Sequence, residues 1–312
     1  MQPERFDHFM ARANAAYYAQ HNPFTDFVTA PELTQVFGEV LGAWARVVWQ
    51  MMGSPPAIHL VEAGGGRGVM MADMLRSFPA ANVHFIETAP RLQAEQASRV
   101  PHAHWHESLA GVPGGSMILI ANEFLDALPV RQFICRGGVW HERFVADGAY
   151  IEQPAAISLP SAPDNTVQEF NEAAAAFIHA LAKRNAIGLF IDYGPMQSAP
   201  GESVQAIHAG KFSDPLKTPG EADITAHVDF TALAQAAHAA GAITQGPVKQ
   251  NAFLTGLGFM QRTDQLAQRN PAMAQNLRLA AQRLTDPAAM GSLFKVMAVC
   301  PANFPTLPGF EA

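Results

Sequence analysis

Cysteine is nearly absent, with two in 312 residues. Cys135 and Cys300 stand far apart in unlike contexts, which excludes a disulfide framework and a metal-knuckle spacing; a reducing compartment follows, and the cytoplasm is the expectation. Lysine is scarce too: five of the twenty basic residues. The net charge of −7 is spread over interspersed acids and bases. Nothing here forms the basic footprint that duplex nucleic acid or an anionic membrane selects, so no nucleic-acid partner is expected. No apolar run approaches the roughly 20 residues of a membrane span. The first stretch, MQPERFDHFMARANAAYY, mixes charges of both signs and holds no apolar core of signal-peptide length, so no membrane insertion is expected either. What the chain does have is a 49% apolar composition and a length that suits one elaborated domain.

From Glu32, the residues Leu33, Val36, Phe37, Val40, Leu41, Trp44 and Val47 recur at the spacing of one helical face. Thr29 followed by Glu32 reads as a capping box at its start, and GSPP at 53–56 ends it. Short apolar runs then alternate with helical stretches: AIHLVEAG, NVHFIET, AHWH, MILIANEF and AIGLFIDYG, with SLFKVMAVC as a closing strand. That alternation predicts a parallel sheet covered by helices. Residues 1–56 are expected to form a helical segment packed on a core spanning 57–312. Two stretches interrupt the core, at about 131–185 and 195–224. The first carries a hairpin around Gly137 and Gly138, then an Ala-rich helix from about Val167 to Lys183.

The segment HLVEAGGGRGVMMADML places Gly64, Gly66 and Gly68 between a buried strand and a helix. Without side chains there, a ligand can approach backbone N–H groups at the helix start. The dinucleotide fingerprint GxGxxG fails, because Val69 stands where its third glycine belongs, and no GK[ST] ending follows. Glu62 followed by GxGxG instead suits a nucleoside cofactor whose amino-acid tail meets the loop. Glu87 closes the next strand, 23 residues beyond Gly64, where a carboxylate can accept from both hydroxyls of a ribose. That spacing alone also fits a nicotinamide cofactor, which leaves an oxidoreductase open. Glu107 and Ser108, after the third strand, lie where an adenine ring can receive polar contacts. His102, His104 and His106 would share one strand face; solvated histidines are expected there rather than a metal site.

In LIANEFLDALPVRQF, an apolar strand delivers Asn122 and Glu123 to its carboxyl end, the edge at which open α/β sheets bind ligands. Both can orient a nitrogen nucleophile by accepting its hydrogens. Asp126 is expected instead to favour the dipole of a following helix.

DFVTAPELTQVFGEVLGAW, LVEAGGGRG, LIANEFLDALPVRQF, IDYG and GEADITAHVDF, in this order and over nearly the whole chain, resemble the MidA-like methyltransferases, relatives of a mitochondrial complex I assembly factor. The resemblance implies a class I S-adenosylmethionine-dependent methyltransferase fold, Rossmann-like, with seven strands and the last antiparallel. It implies S-adenosyl-L-methionine as cofactor and arginine methylation in a protein partner, a complex I subunit. Carried over by motif, Glu62, Gly64, Gly66 and Gly68 would hold the cofactor's methionine end and Glu87 its ribose, with Asn122 and Glu123 beside the transferring methyl. Asp192 and Asp26 are lesser candidates for orienting a guanidinium, Asp192 having the alternative of satisfying backbone N–H groups at a strand end. The family usually has proline at Gly65 and glycine at Thr25. A non-catalytic assembly chaperone with a vestigial pocket and a small-molecule methyltransferase remain alternatives, and a homo-oligomer stays open. The helix from Glu32 is expected to cover the cofactor, and the insertion after Arg131 to shape the protein-substrate groove.

Overall fold

The structure, a computed structural model, describes residues 2–21, 29–79 and 82–311; Thr25 and Asp26 lie outside them. The chain opens with β1 (Glu4–Arg5), α1 (Phe6–Gln20), α2 (Ala30–Leu33) and α3 (Gln35–Met51). Strands and helices then alternate through β2 (His59–Ala63), α4 (Val69–Ser77), β3 (Asn82–Ile86), α5 (Pro90–Arg99), β4 (His104–His106) and β5 (Met117–Asn122). The first insertion holds β6 (Arg131–Arg136), β7 (Val139–Ala146), β8 (Ala149–Pro154) and β9 (Val167–Phe170), followed by α6 (Glu172–Ala182) and β10 (Ile187–Tyr193). After β11 (Gln205–His208), β12 (Lys211–Ser213) and β13 (Asp223–Thr225) come α7 (Phe230–Ala239), β14 (Ala242–Lys249), α8 (Gln250–Gly256), α9 (Phe259–Arg269), α10 (Ala274–Thr285), α11 (Met290–Leu293) and β15 (Phe294–Pro301).

The central sheet has seven strands in the order β14-β15-β10-β5-β2-β3-β4. From β10 to β4 all pairings are parallel, whereas β15 runs antiparallel to both of its neighbours. This is the α/β fold the resemblance implied, with the last strand reversed. β5 and β10 are buried along their whole length because helices cover both faces. One apolar cluster joins Leu60, Ile118 and Ile120 to α3 and α4; the other joins Val61, Leu119 and Phe190 to α6 and α7. β3 and β5 flank β2 on opposite sides, so the strand order reverses there, and a crevice opens beyond the carboxyl ends.

Helix α3 reaches α4 unusually closely. A Cβ on Gly42 would stand 2.2 Å from the Met74 carbonyl oxygen, and one on Gly38 would stand 2.6 Å from the Asp73 Cβ. Small residues four apart let the two backbones touch.

Several expectations need correction. The helix does not run on from Glu32: α2 stops at Leu33, Thr34 is extended, and its hydroxyl caps α3 by accepting from Val36 N at 3.3 Å. Thr29 makes no side-chain cap, and Glu32 reaches Arg67 instead. Val47 is exposed rather than on the buried face. The stretch from Val167 begins as a strand, because Val167–Phe170 pairs with β6 before Asn171 caps α6 through Ala174 N at 2.8 Å. β14 has no counterpart in the sequence reading: Gly246 and Pro247 interrupt it, and an edge strand with a register shift between Gln245 and Val248 tolerates them.

The insertions make two smaller sheets. β6, β7, β8 and β9 join β1, and β11 is flanked by β12 and β13. Helix α1 links them through Phe6, Phe9 and Met10, which pack with Val130, Val145 and Ile224.

Candidate active site

A cavity of about 750 Å³ lies at the carboxyl ends of β2, β3 and β5, within the range of small-molecule sites. Glu62, Gly64, Gly66, Glu87, Glu107, Ser108, Asn122 and Glu123 all line it. Glu62 is 3% exposed, and its Oε2 has no partner among the described residues. Burial holds its carboxyl well above the usual range, and a cationic N–H donor at the open Oε2 would offset that burial and favour the ionised form. Gly64 turns with φ +67, and a Cβ there would stand 2.8 Å from the Phe124 ring, so only glycine fits. Gly68 does not line the cavity. It starts α4 in the left-handed conformation (φ +78) and packs on Gln96, a backbone and packing role rather than a contact with the ligand space. Gly65 lies beside the Phe85 ring, 2.6 Å from where its Cβ would be, so a proline there needs that ring to move.

Glu87 is held in place before any ligand arrives. Its Oε1 accepts from Ala89 N at 2.8 Å and its Oε2 from Gln96 Nε2 at 3.3 Å, while Gln96 also donates to the Gly66 carbonyl at 2.8 Å. One glutamine thus sets the distance between the glycine loop and the β3 acid. Arg67 bonds Glu32 through Nε at 3.0 Å, which ties α2 to the same loop.

In the cavity wall, Asn122 Nδ2 donates to Glu123 Oε1 at 2.9 Å, and Ala30 N donates to the same oxygen at 3.4 Å. Glu123 has φ +51, a left-handed backbone uncommon outside glycine, and its N–H is anchored to the Ile191 carbonyl at 2.9 Å. Burial pushes its carboxyl up to about 7. Asn122 Oδ1 is buried without a partner among the described residues.

Asp192 takes its structural alternative. Its Oδ2 accepts from Phe124 N (3.2 Å), Leu125 N (3.0 Å) and Asp126 N (3.3 Å), and its Oδ1 from Tyr193 N (3.0 Å). It thereby shapes the turn that presents Glu123, although burial and the Glu123 charge push it up to about 7. No helix follows β5, so Asp126 serves no helix dipole; it is buried and lines the cavity. Tyr18, Tyr193, Gln205, Asp223 and Thr225 also line it, and the sequence reading assigned none of them a role. The signal was present in IDYG and GEADITAHVDF, which carry three of the five. Tyr18 donates to Asp223 Oδ1 at 2.7 Å and Tyr193 to Thr225 Oγ1 at 2.6 Å.

The cover also differs from expectation. α3 packs against α4, whereas α1 and helix α2, through Pro31 and Glu32 with Thr29 before it, border the cavity. The insertion after Arg131 contributes Phe177, and Gln205, Ile207 and Asp223 from the second insertion supply the far wall.

Of the histidines, His102 sits in a turn and His104 is exposed, as solvated residues. His106 Nε2 instead lies 3.0 Å from His84 Nδ1, and His84 Nε2 lies 2.9 Å from His59 Nδ1. Burial and these neighbours bring His84 down to about 4, so the row is not cationic at His84 near neutrality. Among the described residues, no group of three or more His, Cys, Asp or Glu is arranged to hold a metal ion.

Comparison with known proteins decides among the cofactors this cavity can take. Residues 40–248 match a family model described as "Putative S-adenosyl-L-methionine-dependent methyltransferase". The chain is 31% identical to the mitochondrial protein arginine methyltransferase NDUFAF7 of Homo sapiens, covering 88% of this chain and 74% of that protein. The Drosophila melanogaster homolog is also 31% identical, with coverages of 94% and 79%. The chain belongs to the MidA-like methyltransferase family. A COG1565 superfamily member from Burkholderia thailandensis, solved with S-adenosyl-homocysteine, superposes on 99% of this chain and 89% of its own with a TM-score of 0.84 at 25% identity.

This methyltransferase uses S-adenosyl-L-methionine, which removes the nicotinamide alternative that the glycine-to-acid spacing had left open. The residues fit that group: the unmet Glu62 acceptor suits an ammonium, and the Gly64 turn leaves room that a Cβ would fill. The expectation of a cytoplasmic location is overturned, because these relatives are mitochondrial proteins by name. Few cysteines point to reducing surroundings and do not distinguish one such compartment from another. Among the described residues, no helix is long and apolar enough to cross a membrane.

Proposed function

We propose that this methyltransferase modifies an arginine of a protein partner. The relatives named as protein arginine methyltransferases support that reading, and so does the presence of Glu123 in the cavity wall. S-Adenosylmethionine supplies a methyl group on a sulfonium whose departure leaves a neutral thioether. Glu62 and the turn at Gly64 and Gly66 would hold its methionine end, and Glu87 the ribose hydroxyls. Glu107 and Ser108 would face the adenine.

A guanidinium stays protonated and is a poor nucleophile, so it has to be oriented and its charge drawn toward the nitrogens that do not react. Glu123 accepts from those nitrogens, Asn122 fixes the Glu123 carboxylate, and Asp192 holds the turn beneath. The single observation carrying this reading is a carboxylate held on a left-handed backbone in the wall of the cavity that the glycine loop also lines.

The resemblance to an assembly factor makes a subunit of respiratory complex I the first partner to try. Incubation with tritiated methyl donor and recombinant subunits should put label on the protein, recovered as methylarginine after hydrolysis, and Glu123→Gln should lose it. Label on another residue type would refute the arginine assignment.

A further inference from the structure

The two faces of the three-stranded sheet in the second insertion are put to different uses. Directly opposed residues on antiparallel strands share a face, and successive residues along one strand take opposite faces. On one face Ala206 and Ile224, paired across β11 and β13, are fully buried in the cluster that α1 completes. Gln205 with Thr225 and Ile207 with Asp223 make up the other face, and all four line the cavity. The Gln205 amide confirms the direction by donating to the Tyr193 hydroxyl at 3.2 Å. None of the four is among the residues assigned to the cofactor.

β12 carries that second face outward. Phe212 stands opposite Ile207, so its ring belongs to the cavity face, one strand spacing of about 4.8 Å beyond the wall. Two features set this register. Ala209 (φ +48) and Gly210 (φ +71) form the two-residue left-handed turn that joins β11 to β12, and Ser213 falls opposite the buried Ala206. A slip of one residue would send the ring to the face that α1 covers. Instead Phe212 is 79% exposed, on a strand that forms the edge of its sheet among the described residues.

We infer that Phe212 is the outer part of the methyl-acceptor site, where an apolar side chain of the accepting polypeptide docks beside the residue that enters the cavity. The inference rests on the reading of a protein acceptor and adds the contact that selects it. A ligand contained within the cavity has no use for a ring beyond its wall, whereas a polypeptide that puts one side chain inside must lay its neighbours on the rim. The size of the feature also favours a polypeptide over a second copy of this chain. The neighbours of Phe212 on the hairpin, His208, Ala209, Gly210 and Lys211, are exposed and none is a large apolar residue. One aromatic ring buries about 150–250 Å², against the roughly 1,200–2,000 Å² of a stable protein interface.

The test is a peptide array probed with the full chain saturated with S-adenosylhomocysteine. The peptides are centred on arginine, lysine or glutamine and carry leucine or serine at each flanking position in turn. The wild type should bind at least one leucine peptide about tenfold more tightly than its serine counterpart. Phe212→Ser should bring that ratio to within about twofold and Phe212→Leu should keep most of it. S-Adenosylhomocysteine affinity should stay within about twofold in both variants. Equal binding of leucine and serine peptides at every position by the wild type, or binding of neither, would overturn the inference without recourse to a variant. An unchanged preference in Phe212→Ser would overturn it too, as would a wild-type dimer in sedimentation that this variant dissociates, since the ring would then belong to a second copy. A preference that depends on Phe212 but is the same around all three central residues would uphold the inference and remove the arginine reading. Arginine-selective binding without the preference would do the reverse.

Discussion

At Glu123 the chain holds a non-glycine residue at φ +51 and a carboxyl whose pKa lies at about 7. Replacing it with Gln keeps the shape and removes the charge. kcat for methyl transfer should fall by about 100-fold or more, with S-adenosylhomocysteine affinity within about threefold; a kcat near wild type would remove Glu123 from the reaction. The ionised form is the one that orients a guanidinium, so kcat/KM should climb as pH rises through 7 and then level off, and the step should vanish in the variant. Stability responds with the opposite sign. A carboxyl raised in the folded state binds its proton more tightly than in the unfolded chain, so its contribution is complete below the unfolded value of about 4.3 and is lost as pH rises through 7. Glu123→Gln should therefore raise the melting temperature at pH 8 relative to wild type and have little effect at pH 4. Asn122, Glu123 and Glu87 were legible because each closes an apolar strand. Asp126 and Asp223 were not: one lies in a turn mistaken for a helix start, and the other is brought in by a short strand roughly 100 residues further along the chain.

Among the elements, the contact between α3 and α4 is the most exacting. A methyl group at position 42 would meet the Met74 backbone at 2.2 Å, and backbone inside a helix cannot move aside cheaply. Gly42→Ala should cost about 1–3 kcal/mol in urea unfolding; an unchanged midpoint would mean that the helices sit further apart. The amphipathic period found α3 but not its start, because Thr34 and Thr29 are both competent caps by type. Glu32 decided the matter by pairing with Arg67, a partner 35 positions away. Similarly, Val167–Phe170 looked like the beginning of an Ala-rich helix, but strand pairing with β6 captured it and Asn171 starts the helix. β14 was lost to its own Gly246 and Pro247. Local pattern identified the strands buried on both faces, and long-range partners decided the rest.

Across the whole molecule, the strand order places the reversal at β2, and the cavity follows from it. The βαβ alternation made that much readable; the cover was not, since α1 and the second insertion reach the site only through tertiary contacts such as those of Asn14. The assignment of the glycine loop, Glu62 and Glu87 as the cofactor's seat is tested most directly by calorimetric binding of S-adenosylhomocysteine to the wild type and to Glu87→Ala. Loss of charge-assisted hydrogen bonds to two ribose hydroxyls should weaken binding by about 10- to 100-fold, and the thermal stabilisation by a fixed excess of ligand should shrink accordingly. Equal affinity in the two proteins would place the nucleoside elsewhere and contradict the account.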